Sequence, residues 1–283
     1  ASANGDNLFI GKNSGNFTMS SGSYFSSANV GVGSSTLDAV TSGFENVAVG
    51  AYALTSNSMG NTNSAVGHWS QKNNETGVGN SSLGWKALVY NVMGSYNTAV
   101  GRESGPGSGS TSLTNTGAFG YGAVPTASNR VHIGNTSVGW IGGQVSWATY
   151  SDERYKRNVK EDVAGLDFIL KLRPVTYQWD VRGMSSHLGT KLDGLEDAVR
   201  EQELKTYSGF MAQEVEEAAN GSGFNFSGVQ APPNDKSLYS LSYGEFVVPL
   251  VKAVQEQQSM IEHQNAIIEE LRKEVEDLKE KMD

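Results

Sequence analysis

The sequence contains no cysteine in its 283 residues, which excludes disulfide bonds and cysteine-ligated metal sites. No apolar run approaches the ~20 residues that a membrane-spanning helix needs, and the first residues lack the features of a signal peptide. The Asp-rich loops that hold calcium are also missing from the Gly-rich first half. We therefore expect no metal, no cofactor and no membrane insertion.

Charge is scarce in the first half and is unevenly distributed over the chain. Residues 1–150 carry five basic and five acidic residues, while 151–283 carry the remaining 16 and 25, which accounts for the net charge of −9. Neither half has the basic patch of a nucleic-acid-binding protein, so no nucleic-acid partner is expected. The change in composition near residue 150 indicates separate domains.

A five-residue motif recurs through the first half. The clearest copies are Asn46–Gly50, Asn63–Gly67 and Asn97–Gly101, and looser copies begin at Asn29, Glu75 and Thr116, with spacings of 12 to 22 residues. Five residues cannot bury a face alone, but stacked coils can. The pattern predicts a β-solenoid whose valines fill the interior; the alternative, a low-complexity linker, lacks such apolar periodicity.

The repeat resembles the head repeats of trimeric autotransporter adhesins, whose left-handed parallel β-rolls pack three to a trimer, and similar repeats occur in phage tail fibres. The resemblance implies a trimeric head over residues 1–128. Aromatic side chains lie in or beside the inter-strand loops, at Tyr24, Phe25, Tyr52, Trp69, Trp85, Tyr90, Tyr96 and Tyr121. They could stack on a cell-surface glycan receptor, although covering the roll or filling the trimer seam is the stronger interpretation.

The alternating pattern of residues 129–150 predicts a narrow β neck. Three segments alternate as strands do, at 130–134, 138–143 and 144–150. Strands this short are not stable alone, so three chains are expected to wrap around one another. His132 is in phase with Arg130 and is expected to face solvent.

The boundary between the halves carries the pattern Ser-Asp-x-Arg-x-Lys from Ser151 to Lys156. A serine hydroxyl becomes a nucleophile when a base removes its proton, and a neutral lysine amine can do this. Neighbouring Arg154 and Arg157 would favour the neutral amine. Positions i and i+5 lie about 140° apart on a helix. Ser151 must therefore precede a helix and turn back towards Lys156.

A second interpretation of Ser151 needs no chemistry. The residue would be a helix N-cap, with Asp152 and Glu153 in the first turn, where the helix dipole favours acids.

The pattern resembles the start of the endosialidase-type intramolecular chaperones, the C-terminal domains of phage tail fibres and tailspikes, which cut themselves off just before this serine; myelin regulatory factor precursors share the module. The segments 172–179 and 209–215 resemble two later landmarks of that family. The resemblance implies that Ser151 attacks the Tyr150 carbonyl and that Lys156 is the general base. Asp152 and Arg154 would position the loop.

The pattern of apolar residues after the boundary predicts an α+β domain over 151–245. Helices are expected at 161–172, at 195–204 and from 209 onward. Strands are expected at 175–179 and 239–243, with loops at 183–205 and 221–236.

A heptad pattern runs through residues 246–283 and predicts a coiled coil. The seam comprises Val254, Ile261, Gln264, Ile268, Leu271, Val275 and Leu278. Branched residues at a with leucine at d favour two strands, but Met260 and Ile267 at g widen the apolar seam, and the chaperone resemblance implies three strands. A helix packed on its own domain is an alternative only up to about residue 258.

The sequence therefore predicts a homotrimer of mixed fold, with a β-solenoid head, a β neck, an α+β chaperone and a coiled coil. Its expected function is that of a receptor-binding phage tail fibre or tailspike in the virion. The chaperone would drive trimerisation and folding and then be removed by autoproteolysis between Tyr150 and Ser151. The alternative is a bacterial surface adhesin or structural fibre, at the cell surface, whose tail trimerises without cleavage. The receptor would be a glycan or a protein.

Overall fold

The computed structural model describes residues 6–16 and 26–282. Tyr24 and Phe25, two of the predicted loop aromatics, lie outside the described residues. The chain forms two compact units. The first contains residues 1–142, 178–205 and 233–237, and the second contains 143–177, 206–232 and 238–283. No helix within the described ranges is long and apolar enough to cross a membrane.

The secondary structure consists of short strands and five helices in the described residues. Strands β1 to β8 are Leu8–Ile10, Val30–Val32, Val47–Val49, Ser64–Val66, Ser81–Leu83, Thr98–Val100, Gly117–Phe119 and Val131–Ile133. Strands β9 to β12 are Val175–Tyr177, Tyr207–Gly209, Val229–Gln230 and Ser240–Leu241. Helices α1 to α5 are Leu166–Ile169, Val181–Leu188, Glu196–Leu204, Ala212–Gly221 and Val247–Glu280.

Strands β1 to β8 form one parallel sheet in which each strand pairs with the next along the chain. The register is that of stacked coils, with Ala48 opposite Ala65 and Val49 opposite Val66. Successive parallel pairing with one strand per coil is the topology of a solenoid. The predicted β-solenoid is therefore confirmed.

A column of buried asparagines precedes the strands, at Asn29, Asn46, Asn63, Asn80 and Asn97. The backbone N–H and the side-chain amide of Asn46 both donate to Asn29 Oδ1, at 3.0 and 2.9 Å. The same amide donates to the Gly60 carbonyl at 2.9 Å. Such bonds satisfy buried polar groups that would otherwise oppose folding. The fifth coil begins at Asn80, and the predicted copy at 75–79 lies in the preceding turn.

Alanine, not the valine of the repeat motif, faces the interior in strands β3, β4, β6 and β7. Ala48 and Ala65 are fully buried, whereas Val66 on the next position is 39% exposed. Side chains alternate along a strand, so only one of the two neighbours can point inward. The following glycine turns the chain: Gly50 has φ 121°, and a Cβ there would lie 2.7 Å from the carbonyl carbon of Gly67. The predicted valine-filled interior is wrong.

The segment predicted as a neck divides between two environments. Val131–Ile133 is the eighth strand of the solenoid, with His132 opposite Ala118. His132 therefore points into the stack and is partly buried, contrary to the solvated position expected for it. Burial lowers the pKa of His132, and the charge of Arg130 lowers it further. Residues 138–150 contain no strand, and all of them are exposed.

The second unit is organised around phenylalanines. Phe168 of α1 is fully buried, and its ring centroid lies 5.0 Å from that of Phe226. Phe246 packs edge-on against Phe226 at 4.8 Å. Val215 and Ala218 of α4 complete this core. The core joins the start of α5 to the rest of the chaperone half.

Some of the helices predicted from the sequence are present in the structure, and others differ. The predicted helices at 195–204 and from 209 are present as α3 and α4, but the one expected over 161–172 is reduced to α1. Helix α2 begins at Val181 and extends into the predicted loop 183–205. The side chain of Asp180 accepts a hydrogen bond from Gly183 N at 2.7 Å, and Gly189 ends the helix in the left-handed conformation.

Candidate functional site

Ser151 and Lys156 are joined by a hydrogen bond. Lys156 Nζ lies 2.7 Å from Ser151 Oγ. A single 3₁₀ turn over Glu153–Tyr155 separates them, and Ser151 lies outside it. The turn brings the side chain of Lys156 back to Ser151. On an α-helix, two side chains five positions apart would point about 140° away from each other.

Asp152 occupies the N-cap position that the alternative interpretation gave to Ser151. Its backbone is extended, with φ −73° and ψ 123°, and its side chain accepts a hydrogen bond from Arg154 N at 3.0 Å. Ser151 Oγ accepts its hydrogen bond from Lys156 Nζ, and the turn is capped by Asp152. The N-cap interpretation of Ser151 is wrong.

Asp152 and Arg154 form a two-pronged ion pair. Arg154 Nε lies 3.1 Å from both carboxylate oxygens, and Nη2 lies 2.6 Å from Oδ2. The hydrogen bonds from Arg154 lower the pKa of Asp152. Both side chains are exposed, so the pair contributes little to overall stability. Its effect is local, because it fixes the turn that brings Ser151 and Lys156 together.

The segment around the candidate site is fully open to solvent. All residues from 151 to 160 are exposed, as is Tyr150, whose carbonyl precedes Ser151. An amine in hydrogen-bond contact with a hydroxyl can act as its general base when the amine is neutral. Lys156 is exposed to solvent, and the arrangement supplies the geometry of a Ser–Lys pair.

The later landmark segments meet in the second unit. Strand β9 pairs antiparallel with β10. Arg173 Nε donates to Glu214 Oε2 at 3.1 Å, and this bond lowers the pKa of Glu214. Sequence reasoning did not identify this ion pair. The opposite charges and the landmark assignment of both segments were the features that could have indicated it.

Helix α5 begins within the chaperone core and then leaves it. Pro249 and Ala253 are buried, and Glu256 accepts a hydrogen bond from Leu166 N at 2.8 Å. Residues 257–282 are all exposed. The apolar seam residues Val254, Ile261, Ile268, Leu271, Val275 and Leu278 are each 44 to 62% exposed. The polar seam residue Gln264 is exposed as well. Packing on the chain's own domain thus ends near residue 256.

Within the described ranges, no group of three or more His, Cys, Asp or Glu side chains could hold a metal ion. The chemistry available at the candidate site is that of its hydroxyl, its amine and the Asp152–Arg154 pair.

Comparison with known proteins gave one result. A peptidase family described as "Chaperone of endosialidase" matches residues 151–224. No curated protein and no solved structure matches the chain. The matched segment begins at Ser151 and includes the Ser151–Lys156 pair, the Arg173–Glu214 ion pair and α4. The family is one of self-cleaving, serine-peptidase-like chaperones. Residues 151–224 therefore constitute an endosialidase-type chaperone domain.

Proposed function

We propose that this chain is a homotrimeric, receptor-binding fibre protein of a phage tail, located in the virion, whose C-terminal domain is a self-cleaving intramolecular chaperone. The hydrogen bond between Ser151 and Lys156, at the first residue of the family match, carries the proposal. The chaperone drives trimerisation and folding of the solenoid. It is then removed by cleavage between Tyr150 and Ser151.

In the proposed reaction, Ser151 Oγ attacks the carbonyl carbon of Tyr150 while Lys156 takes the hydroxyl proton. The resulting intermediate contains a five-membered ring, because nucleophile and scissile bond belong to adjacent residues. Lys156 then returns the proton to the Ser151 nitrogen as the C–N bond breaks, leaving an ester. Water hydrolyses the ester and yields a carboxylate on Tyr150 and a free amino group on Ser151.

Cleavage follows assembly in this proposal. A lysine in water is protonated near pH 7 and cannot accept a proton, but burial favours its neutral form. Trp147 and Tyr150, beside the cut, are almost completely exposed in one chain. Packing of three such segments would bury these rings and desolvate Lys156. The reaction would therefore begin only in a correctly assembled trimer.

Two exposed apolar rows support trimer formation. On the solenoid, the outer apolar row aligns one residue from each coil: Ile10, Val32, Val49, Val66, Leu83, Val100, Phe119 and Ile133. On α5, the seam from Val254 to Leu278 extends for about 36 Å of helix at 1.5 Å per residue. Fully burying one such side chain contributes about 1.5–3 kcal/mol. Two further copies of the chain would cover both rows.

The chaperone solves a kinetic problem. Parallel β-structure forms slowly, because long loops must close before its contacts are made. A C-terminal coiled coil raises the local concentration of the chains and sets their register. Once the chaperone is removed, the solenoid trimer is retained by a high unfolding barrier.

Denaturing gel electrophoresis of freshly expressed protein tests the proposal. Autoproteolysis gives two bands at the masses of 1–150 and 151–283, and Ser151→Ala gives one band of 30.2 kDa. A wild-type protein that stays at 30.2 kDa over days, while trimeric, would reject self-cleavage. That outcome favours the alternative, an adhesin or structural fibre with an uncleaved trimerisation tail.

A further inference from the structure

A buried polar layer interrupts the hydrophobic core of the solenoid. One cluster of buried apolar side chains ends at Ala65, and a second begins at Ala87. Between them lie Ser70, Gln71 and Ser82, all of them buried. We call these three residues the polar layer. It needs an explanation, because buried polar groups oppose folding unless each one finds a partner.

Gln71 occupies a position that is leucine in the neighbouring coils. Leu54 lies 17 residues before it and Leu88 lies 17 residues after it, and all three side chains are fully buried. Their backbones share one left-handed conformation, with φ of 50° at Leu54, 48° at Gln71 and 53° at Leu88. Each backbone N–H donates to a carbonyl of the following coil. The coil is therefore built in the same way with either side chain, and its backbone does not require glutamine.

Ser82 is the matching exception in the following coil. It lies on β5, opposite Ala65 on one side and Ala99 on the other. Gln71 Nε2 donates to Ser82 Oγ at 2.9 Å, and the hydroxyl oxygens of Ser70 and Ser82 are 2.5 Å apart. Leucine and alanine are thus replaced together, at two positions whose side chains are in contact.

The hydrogen bonds of the polar layer are incomplete. Gln71 Oε1 is buried and has no partner among the described residues. Gln71 Nε2 also donates to the carbonyl of Ser64 at 2.9 Å, so a flipped amide would place two oxygens together. A leucine–alanine pair would leave no group unpaired. The layer therefore lowers stability, as do the buried polar contacts that fix register in coiled coils.

The repeat leaves the order of the coils ambiguous. The motif Asn97–Gly101 matches Asn63–Gly67 more closely than Asn80–Gly84 does. If residues 80–96 looped out, Asn63 could still accept a hydrogen bond from Asn97, and β4 could pair with β6. Slipped pairings of this kind are kinetic traps in folding. With leucine and alanine in every coil, the slipped interior would match the native one.

We propose that Gln71 and Ser82 form a register lock, which makes the solenoid reject coil pairings that are shifted by one repeat. When residues 80–96 are skipped, the Gln71 amide and the Ser70 hydroxyl face the methyl group of Ala99. When the preceding coil is skipped instead, Leu54 covers the Ser82 hydroxyl. Both errors bury a polar group without its partner. The lock lies within the solenoid and acts whether or not the chain cleaves itself.

Disulfide trapping reports the register, because the chain has no cysteine of its own. Ser64 lies opposite Ser81, and Ser81 lies opposite Thr98. Ser64→Cys with Ser81→Cys can therefore bond in the native register. Ser64→Cys with Thr98→Cys spans two strand spacings, ~9.6 Å, and can bond only after a slip. Each pair is placed in full-length Ser151→Ala protein, which is refolded from urea with pulses of oxidant, and intrachain disulfides are quantified by intact mass.

Removing the polar layer should increase slipping without a loss of stability. Gln71→Leu with Ser82→Ala should raise the slipped disulfide at least about fivefold, because the slipped interior then contains no unpaired polar group. The same double variant should melt at or above the temperature of the protein with the unchanged layer, since the unpaired Gln71 Oε1 is gone. A purely structural role predicts the reverse, a lower melting temperature with no change in slipping.

Moving the serine hydroxyl by one coil is a matched control. Ser82→Ala with Ala99→Ser gives Gln71 a partner only in the slipped register, and should yield more slipped disulfide than Ser82→Ala alone. Leu88→Gln with Ala99→Ser, added to the double variant, rebuilds the pair one coil later. That protein should return towards the low level of slipping seen with the unchanged layer.

Equal amounts of slipped disulfide with and without the polar layer would overturn the register lock. A double variant that melts well below the unchanged protein would overturn it as well, because the pair would then stabilise the coil instead of selecting its neighbour. Ser64→Cys with Ser81→Cys should form its disulfide in every variant, which separates a change of register from a failure to fold.

Discussion

The carboxylate of Glu256 accepts a hydrogen bond from the backbone N–H of Leu166 at 2.8 Å, which joins the long helix α5 to the first residue of α1. The first N–H groups of a helix have no partner within it, and here a side chain 90 residues away supplies one. Every residue of α5 after Glu256 is exposed. This hydrogen bond sets the direction from which the predicted coiled coil leaves the domain.

Glu256→Ala should destabilise the chaperone by about 1–2 kcal/mol, because the Leu166 N–H loses its acceptor. Urea unfolding followed by circular dichroism measures the change, with Glu262→Ala on the exposed part of α5 as the control. Equal midpoints for the two variants would show that the bond contributes nothing to stability.

If Ser151 and Lys156 act as nucleophile and base, three variants at these positions should change cleavage in a defined way. Ser151→Ala and Lys156→Arg should both give full-length, trimeric protein, since the first lacks the nucleophile and guanidinium stays protonated. Ser151→Thr should cleave more slowly, because its extra methyl group crowds the attacking oxygen. Intact-mass spectrometry over a day reports all three. Cleavage of Lys156→Arg at the wild-type rate would eliminate lysine as the base.

Charge placed in the α5 seam should prevent assembly. Ile261→Asp together with Ile268→Asp puts unpaired charge where the coiled coil is expected to be dry, at a cost of several kcal/mol per charge. We expect monomers or aggregates by light scattering, and no cleavage. Ala266→Asp, on the opposite face of the same helix, should remain trimeric. A trimer in the double variant would show that another surface assembles the chains.

Neighbouring residues of one strand should respond differently to aspartate. Ala65→Asp buries a charge in the solenoid interior and should lower the melting temperature of the head strongly. Val66→Asp lies on the outer apolar row, so the coils should still stack while trimers weaken. Thermal unfolding by circular dichroism and light scattering separate the two effects. Loss of the fold in both variants would contradict the outward position of Val66.

His132 should make the solenoid less stable in mild acid. Burial lowers its pKa below the ordinary 6.5, so the unfolded chain takes up a proton first as the pH falls. The free energy of unfolding therefore decreases from about pH 7.5 towards pH 5.5. His132→Gln should flatten this dependence, and His68→Gln, at an exposed loop position, should not. Identical pH profiles for all three proteins would exclude His132 as the cause.

The sequence was sufficient to predict stacked coils, because an asparagine and a glycine recur at a fixed 17-residue spacing from Asn29 to Gly101. It did not predict which face was inside, because Ala65 and Val66 both suit a strand and alternation alone does not assign the faces. The coil at Asn80 was misplaced because Ser81, Ser82 and Leu83 replace the usual small and branched residues. The asparagine and glycine at 17-residue spacing were the better guide.

In the chaperone half, the position of Ser151 ahead of a turn followed from helix geometry, but the identity of the cap did not. Asp152 and Ser151 are both good caps, and the choice depends on the Arg154 ion pair. Helix α2 was missed because its sequence is polar and contains Gly183. It is stabilised by burial of Val181 and Ser185, which only the folded unit supplies.

The asparagine column gives the solenoid a fixed repeat length. From Asn29 to Thr116, the backbone N–H of each column residue donates to Oδ1 of the asparagine one coil earlier. Neighbouring strands are ~4.8 Å apart, so the eight strands span about 34 Å. Insertion or deletion of one whole 17-residue coil would preserve every bond in the column, whereas a change of a few residues would break its phase. Fibres built this way can therefore change length in steps of one coil. Related fibres can differ in length while the fold of each coil stays the same.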